Sequence, residues 1–403
     1  MTRPHITDRR RRNRLLRRHH LAADHRGTDV VTVADDMVGL HATTPSTVYL
    51  SAWARLADGF TPADLDAALY TDRTLVKQLA MRRTLFVVPR PLLRDAVGAI
   101  GSRVVASERT NLRRHLRDGE GFGDPDEWID AARTAVAGVL DGGDFLTSAE
   151  IRSQLTEFDR SVIVSPGKSY GGPSPMLPRI LNLMSAGGEI VRATNDAEWH
   201  RSRPRWSSMT GWLGEPLAPT DPAVAHVDLI RRWLATFGPG TETDLVWWLG
   251  STKTAVRKAL SEIETVEVDL DDGSVGLVLA DDVDTPDDAD VAPQALVLPE
   301  LDPTTMGHKI RDFYLGAHTG HVFDSNGNGG QTIWWDGRIV GGWYRTDTGS
   351  GESGIGTQLF ENLPASARRA VDARVAELRE WLGEVRFTPG FPPPFMQALR
   401  SRS

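Results

Sequence analysis

The sequence contains no cysteine, and this absence limits the kinds of site that the chain can build. Without thiols there is neither a disulfide scaffold nor a thiolate-ligated metal centre, and the composition fits a reducing compartment. Long apolar runs are also missing, because no segment approaches the roughly 20 apolar residues that span a bilayer. The basic residues 1–20 are not followed by the apolar stretch of a signal peptide. We therefore expect a cytoplasmic monomer without a membrane partner.

Common metal and phosphate motifs are absent as well. No H-E-x-x-H pattern occurs, and the clustered His19, His20 and His25 lack a surrounding set of carboxylates and thiols. The glycine-rich residues 159–173 lack the G-x-x-x-x-G-K-[ST] spacing of a phosphate-binding loop, so we predict an ordinary loop there. We expect no metal and no cofactor.

The length and charge of the chain limit the number of domains and the kinds of partner to expect. A chain of 403 residues with 40% hydrophobic residues and 12 tryptophans predicts a folded protein with about two to four domains. The net charge of -8 hides an asymmetry, because residues 1–118 hold 21 Lys and Arg against 12 Asp and Glu, and the remainder holds 25 against 42. A basic part of this kind can face a polyanion such as nucleic acid, or it can be a solvated surface.

A succession of helices followed by a hairpin is clearest in the middle of the chain. Apolar periodicity predicts a helix over residues 222–237, a capping pattern at 241–244 begins a second, and 251–263 form a third. Residues 266–270 and 274–279 then form a hairpin, because they are joined by an Asp-Gly turn. Three helices followed by a hairpin is the order of a winged-helix module.

The same order is predicted twice upstream. A Thr-x-x-Glu capping box at 147–150 begins a helix, and a further helix at 175–184 precedes a strand. Residues 145–155 also resemble residues 239–249 weakly, as expected of a repeated module. Nearer the N-terminus, three helical patterns precede a strand predicted over residues 82–88.

The composition changes after residue 280. An acidic linker at 281–290 is followed by short strand patterns, at 295–298, 332–335, 338–340 and 342–345, and by a charged amphipathic helix at 364–382. We therefore predict an α+β protein with three tandem winged-helix units and a C-terminal small β-barrel or sheet domain closed by a helix. The predicted boundaries are 1–120, 121–215, 216–282 and 290–403.

The most distinctive local feature is a polar corner, His41-Ala42-Thr43-Thr44, that lies between two apolar helical patterns. Val33, Met37, Leu40 and His41 recur at helical spacing, so we predict that the histidine ends a buried stripe in the last turn of a helix. Thr44 before a proline predicts the start of the next helix. A histidine at a helix C-terminus is also an ordinary structural residue, because it is favoured by the helix dipole.

Several motifs of this chain resemble those of one enzyme family. The motifs are Gly-Leu-His-Ala-Thr at 39–43, Tyr-Leu-Ser-Ala-Trp-Ala-Arg at 49–55, Met-Arg-Arg-Thr-Leu-Phe-Val-Val at 81–88, Leu-Pro-Glu-Leu-Asp-Pro at 298–303 and a Trp-Asp-Gly to Gly-Gly-Trp element at 335–343. Together they are similar to the winged-helix DNA glycosylases related to the azinomycin-resistance and crosslink-repair enzymes. In that family the first motif carries two catalytic carboxamides, or a carboxamide and a carboxylate. Here His41 and Thr43 stand at those positions.

The resemblance implies excision of a bulky or N7-alkylated purine from double-stranded DNA, in repair of a genotoxin adduct or in self-resistance. Such a reaction needs a water positioned against the sugar carbon, and His41 and Thr43 are the residues that the resemblance assigns to it. Asp302 is a further catalytic candidate, although an aspartate before proline is also a frequent turn residue.

The alternative is a DNA-binding protein without catalysis, such as a regulator or a lesion binder. Candidate DNA-binding residues are cationic side chains beside the first predicted strand and on the third helix of the last module: Arg82, Arg83, Lys253, Arg257 and Lys258. Release of 7-methylguanine from treated DNA distinguishes the two functions.

Overall fold

The chain folds into two compact units in a computed structural model that describes residues 2–164, 171–347 and 353–400. The terminal unit comprises residues 1–65 and 227–403, and the middle unit comprises residues 66–226. Both helices and strands occur in each unit, so the α+β prediction is confirmed. The finer module boundaries at 120, 215 and 282 stay predictions.

The N-terminal segment is mainly helical. In chain order it forms β1 (His5–Ile6), α1 (Asp8–Arg18), α2 (Val30–Asp36), β2 (Leu40–His41), α3 (Pro45–Arg55) and α4 (Pro62–Asp66). Thr7 caps α1 and Asp29 caps α2 through side-chain hydrogen bonds to backbone N–H groups. Proline at the first turn of α3 is the position that the sequence predicted for it.

The middle unit repeats short helices and antiparallel strands. Its elements are β3 (Leu75–Leu79), β4 (Leu85–Pro89), α5 (Leu93–Ala96), α6 (Ser102–Asp118), α7 (Pro125–Leu140), β5 (Leu146–Thr147), α8 (Ser148–Gln154), β6 (Ser161–Val164), β7 (Gly172–Pro175), α9 (Leu177–Ala186), β8 (Ile190–Asn195), β9 (Pro204–Ser208) and α10 (Met209–Leu213). β3 and β4 form a hairpin, and β5, β9 and β8 form a three-stranded sheet in that order. An apolar core packed around Ile129, Ile180 and Trp206 supports that sheet.

Two local predictions in the middle unit need correction. The glycine-rich residues 159–173 were predicted to be a loop, but β6 and β7 form an antiparallel hairpin, because Val162 is buried in the unit's core. Residues 165–170 of the predicted loop lie outside the described residues. The strand predicted over 82–88 begins only at Leu85, because Arg82 and Arg83 adopt left-handed backbone angles, φ 53° and φ 59°, in a turn.

The second half of the terminal unit contains helices, a hairpin and a larger sheet. Its elements are α11 (Pro222–Phe237), which begins in the middle unit, then α12 (Glu242–Leu249), α13 (Lys253–Leu260), β10 (Thr265–Leu270), β11 (Val275–Leu279), β12 (Ala295–Leu298), α14 (Asp312–Leu315), α15 (Thr319–Val322), β13 (Thr332–Trp335), β14 (Arg338–Asp347), β15 (Ser353–Leu359), α16 (Ala365–Leu382) and α17 (Pro394–Arg400). β1 adds to β10 in parallel, which extends the predicted hairpin to three strands.

The C-terminal strands form one antiparallel sheet in the order β12–β13–β14–β15. Among the described residues this sheet does not close into a barrel, so of the two predicted forms the sheet is the one observed. The separate strands predicted at 338–340 and 342–345 are one strand, because Gly341 pairs with both Ile333 and Leu359 and continues the ladder. The predicted terminal helix is α16.

The acidic linker is packed against α1. Arg14 is fully buried and pairs with Asp288 at 2.6 Å, and Arg18 pairs with Asp282 at 2.5 Å and Asp287 at 2.8 Å. The other arginines of α1 also bond within the terminal unit, to carboxylates, backbone carbonyls or an aromatic ring: Arg9, Arg10, Arg11, Arg12 and Arg17. Much of the basic character near the N-terminus is therefore neutralised by the chain's own acidic segment.

Candidate active site

His41 lies on a strand, and this corrects the predicted helical position. α2 ends at Asp36, because Val38 and Gly39 adopt positive φ angles of 54° and 102° that an α-helix cannot continue. The chain then turns into β2, which contains Leu40 and His41. Both side chains are still buried, so the inward direction inferred from the sequence is correct although the helical geometry is not.

The two residues that the sequence resemblance assigns to catalysis have different environments. His41 is 2% exposed, whereas Thr43 is exposed. The backbone N–H of Thr43 donates to Nδ1 of His41 over a long 3.4 Å. Because Nδ1 accepts this hydrogen bond, the proton of a neutral imidazole lies on Nε2. The ring can therefore donate a hydrogen bond from Nε2, and a solvent-facing hydroxyl lies two residues away.

Helix α3 supports this corner through a buried polar side. Ser46, Thr47, Ser51 and Arg55 are all buried, although they are polar. The Thr47 hydroxyl donates to the Glu300 carbonyl at 3.0 Å, and the Ser51 hydroxyl donates to the Asp302 carboxylate at 2.8 Å. These bonds tie the helix that follows the corner to the Leu-Pro-Glu-Leu-Asp-Pro motif, because each buried polar group requires a partner.

A buried ion pair lies at the centre of the network. The two terminal guanidinium nitrogens of Arg55, Nη1 and Nη2, donate to Asp302 at 2.8 and 2.7 Å, and neither side chain is exposed. Asp302 also accepts from the Thr304 backbone N–H at 2.9 Å, and the Thr304 hydroxyl contacts Nδ1 of His19 at 2.8 Å. The structure thus gives Asp302 a positioning geometry, with its carboxylate directed at Arg55 and Ser51.

Glu300 adds a second carboxylate to this region. Its oxygens accept from the backbone N–H groups of Gly390 at 2.9 Å and Phe391 at 2.7 Å. Burial raises the pKa of Glu300, while these two N–H groups and the Thr44 hydroxyl oppose the shift. The sequence pattern did not identify Glu300 or Arg55 as site residues, although both lie in motifs on which the resemblance rests.

The two predicted arginines of the first strand lie in the turn of the β3–β4 hairpin. Arg83 is exposed, and its guanidinium lies 3.8 Å from Glu108 and 3.3 Å from the Ser107 hydroxyl. Arg82 is half-buried. An exposed cation at a hairpin turn is in a suitable position to contact phosphate.

The three cations of the last module lie on α13. Lys253, Arg257 and Lys258 are exposed, and all three lie on the helix that the sequence predicted. Arg257 forms a two-pronged ion pair with Glu242 at 2.6 and 3.1 Å. This pair engages Nε and Nη2 of the guanidinium, so the donors on Nη1 are the ones suited to contact a phosphate while the pair stays intact.

Neither metal clusters nor membrane helices are found in the parts of the chain that the structure describes. Within residues 2–164, 171–347 and 353–400 there is no group of three or more histidine and acidic side chains suited to a metal ion. In the same ranges no helix combines the length and apolarity needed to cross a bilayer.

Comparison with known proteins places this geometry in context. A family model described as "AlkZ-like: DNA glycosylase AlkZ-like" matches residues 34–381, which include the His41 corner and both buried carboxylates. The solved structure of Streptomyces sahachiroi DNA glycosylase AlkZ is similar with a TM-score of 0.74 and 20% identity, over 96% of this chain and 99% of that one. A search of curated protein sequences finds no match. The structural likeness shows a shared fold, and because the family match spans most of the sequence, the chain belongs to the AlkZ-like DNA glycosylase family.

Proposed function

We propose that this protein is a DNA glycosylase that excises bulky or N7-alkylated purines, in genotoxin adduct repair or self-resistance. The observation that carries the proposal is the corner itself: an exposed Thr43 joined to a buried His41, at the two positions that the sequence resemblance assigns to catalysis. The ion pair of Arg55 and Asp302 supports it by holding α3 rigidly behind that corner. We also propose that the protein acts as a monomer in the cytoplasm.

The chemistry required of this corner is modest. Alkylation at N7 makes the purine a cationic leaving group, so the enzyme mainly needs to place a water against the sugar carbon as positive charge develops there. The Thr43 hydroxyl can accept and donate hydrogen bonds, which suits it to orienting that water. With Nδ1 of His41 accepting from Thr43, Nε2 carries the proton and can donate to water or to a sugar or phosphate oxygen. We therefore assign His41 to positioning rather than to proton abstraction.

We propose winged-helix modules as the DNA-binding framework. Two segments support this: α7, α8 and α9 precede β8 and β9, and α11, α12 and α13 precede β10 and β11. In such modules a helix and the hairpin contact the duplex. The cations of α13 and the Arg82–Arg83 turn are our candidates for the phosphate contacts.

Base excision by purified variants tests the catalytic assignment. We expect wild-type protein to release 7-methylguanine from alkylated duplex DNA under single-turnover conditions. His41→Ala should lower this rate by roughly 10²- to 10³-fold, the loss typical of one preorganised hydrogen-bond donor, while DNA affinity stays nearly constant. Thr43→Ala should cost less, because solvent water can take the place of a hydroxyl on an exposed residue. His41→Gln restores the family's carboxamide and should keep or raise the rate.

The exposed His25 offers a matched control, because it lies outside the corner. His25→Ala should excise at the wild-type rate. If His41→Ala lowers the melting temperature but leaves the rate per folded molecule unchanged, His41 is a structural residue and the assignment is wrong.

The second candidate function is lesion binding without excision. The 2% exposure of His41 favours it, because a group that acts on water or sugar must be reachable. Tight binding of alkylated duplex without any released base, in wild type and in His41→Gln alike, would support this function against the first.

A further inference from the structure

A cavity lined by aromatic and arginine side chains lies in the terminal unit, away from the His41 corner. Its volume is about 410 Å³, and its charged and aromatic lining residues are Arg26, Trp53, Asp58, Phe60, Arg374 and Trp381. None of the corner residues lines it. Trp53 lies nine residues after Thr44, which along a helix of 1.5 Å rise per residue is roughly 13 Å away. The cavity is therefore a separate feature at the C-terminal end of α3.

Three aromatic rings form the apolar side of the cavity. The rings of Phe60 and Trp381 are nearly parallel, at 12° and 6.2 Å between centroids, and Trp53 lies 6.1 Å from Trp381. The Trp381 indole N–H donates to the Phe60 carbonyl at 2.9 Å, which fixes the indole. All three residues are only half-buried. Ordered and partly exposed ring faces offer a stacking surface for a flat ligand.

Two guanidinium groups form the polar side. Arg374 lies 3.9 Å above the Trp53 ring and pairs with Glu377 at 2.5 Å, but its Nε is buried without a hydrogen-bond partner in the described part of the chain. Arg26 donates to the Ala54 carbonyl and forms no ion pair with any carboxylate of the described residues. Arg26 therefore brings to the cavity a positive charge that no carboxylate of the described residues pairs with.

Electrostatics favour an anion beside Arg26. Burial, together with the neighbouring guanidinium groups of Arg374 and Arg55, lowers the pKa of Arg26 to about 10, while Glu377 and Asp58 oppose the shift less strongly. An anionic group placed between Arg26 and Arg374 would offset this repulsion.

We propose that this cavity binds a nucleotide unit, with its base against the Trp381 indole and its phosphate between Arg26 and Arg374. A volume of about 410 Å³ lies in the range of roughly 300–1,000 Å³ typical of small-molecule sites. The ligand can be a free mononucleotide or a nucleotide at the end of a DNA strand, because both present a flat base and a phosphate. The choice of a nucleotide over other aromatic anions rests on the proposed action on DNA.

Calorimetric titration of the full-length protein with dGMP tests the proposal, with deoxyguanosine and inorganic phosphate as partial ligands. We expect dGMP to bind at least tenfold more tightly than either fragment. Arg26→Gln should weaken dGMP at least tenfold and leave deoxyguanosine unchanged, whereas Trp381→Leu should weaken both. Arg17→Gln and Trp335→Leu are matched controls from elsewhere in the unit and should bind as wild type.

Equal binding of dGMP and inorganic phosphate, no binding of dGMP, or unchanged dGMP affinity in folded Trp381→Leu would each overturn the proposal. A duplex with a single-stranded overhang and a blunt duplex of the same length identify the source. Competition by the overhang alone identifies a strand end, and the lack of competition by both identifies a free nucleotide. Release of 7-methylguanine is measured separately on wild type, so a protein that binds dGMP without excising bases refutes the proposed function but not this site.

Discussion

In the folded structure Asp302 has hydrogen-bond partners that its sequence context does not reveal. An aspartate before a proline, in a motif shared with a glycosylase family, was a reasonable catalytic candidate. In the folded chain its carboxylate is fully buried and accepts hydrogen bonds from the two terminal guanidinium nitrogens of Arg55 and from the Ser51 hydroxyl. Its geometry is suited to holding α3 in place behind the reacting corner.

Removal of the negative charge at this position should destabilise the protein strongly. Asp302→Asn leaves the Arg55 guanidinium buried without a counter-charge, which typically costs about 3–5 kcal/mol. The free energy of unfolding from urea denaturation checks this value. Glu242→Gln is the matched control, because its partner Arg257 is exposed and can return to water, so the midpoint should barely move. An unchanged midpoint in Asp302→Asn would contradict the structural role.

Two buried histidines predict acid lability. Burial lowers the pKa of His308 to about 4 and that of His19 well below its ordinary value. In the unfolded chain a histidine binds its proton below about pH 6.5, so between about pH 6.5 and 4 the unfolded state binds more protons. Stability should therefore be full above pH 7 and fall as the pH drops through this window.

The variant His308→Phe tests the contribution of one ring. Phe313 and Trp233 pack edge-on against His308, so a phenyl ring suits the site, although the hydrogen bond from Nε2 to the Phe237 carbonyl is lost. We expect a smaller loss of unfolding free energy between pH 7 and pH 4.5 than in wild type. An equally steep loss in this variant would exclude His308 as a source of the pH dependence.

At the scale of elements, α1 and the acidic segment at 281–290 are joined by ion pairs. The composition of the sequence predicts a basic surface that could face nucleic acid, and a separate acidic linker. In the fold the linker carboxylates pair with the arginines of α1, including the fully buried Arg14. The segment between 281 and 290 is therefore a structural counterpart of α1 rather than a spacer.

Neutralising one carboxylate in this segment distinguishes structural pairing from a shield over a DNA-binding helix. Asp288→Asn should lower the unfolding free energy by a few kcal/mol, because Arg14 has no solvent to return to. DNA affinity should not change. Asp284→Asn is the control, since that side chain is 94% exposed and its loss should leave the melting temperature unaltered. Tighter DNA binding by folded Asp288→Asn would indicate a shield.

At the scale of the whole molecule, the excess of cations near the N-terminus overstates the surface available to DNA. The arginines of α1 are engaged internally, so we propose that phosphate contacts come from cations elsewhere, such as the exposed Arg83 in the β3–β4 turn. The salt dependence of binding reports how many such contacts exist, because each neutralised phosphate releases counterions.

The double variant Arg82→Ala with Arg83→Ala should weaken binding to all duplex sequences alike. Its slope of log affinity against log salt should become shallower by up to about 2, at roughly one unit for each lost phosphate contact. Arg9→Gln is the control, because that guanidinium pairs with Asp290 inside the terminal unit and should leave the slope unchanged. A slope unaffected by the double variant would remove this turn from the interface.

Local chemistry was determined by the sequence alone. The capping boxes at Thr147 and Thr241, the Asp-Gly turn before Ser274 and the limits of α11 follow from residues within a few positions of one another. The family resemblance could be recognised from the sequence for the same reason, because its motifs are short and contiguous. Such features form in any fold that allows the same local backbone conformation.

Only the tertiary structure decided which distant groups meet. Arg55 and Asp302 are 247 positions apart, and Arg14 and Asp288 are 274 apart, so no local pattern predicts either pair. His41 was displaced from its predicted helix by a two-residue left-handed turn at Val38 and Gly39. Burial, ion pairing and solvent access depend on what the rest of the chain places around a residue, and these determine whether a polar side chain positions the site or faces the substrate.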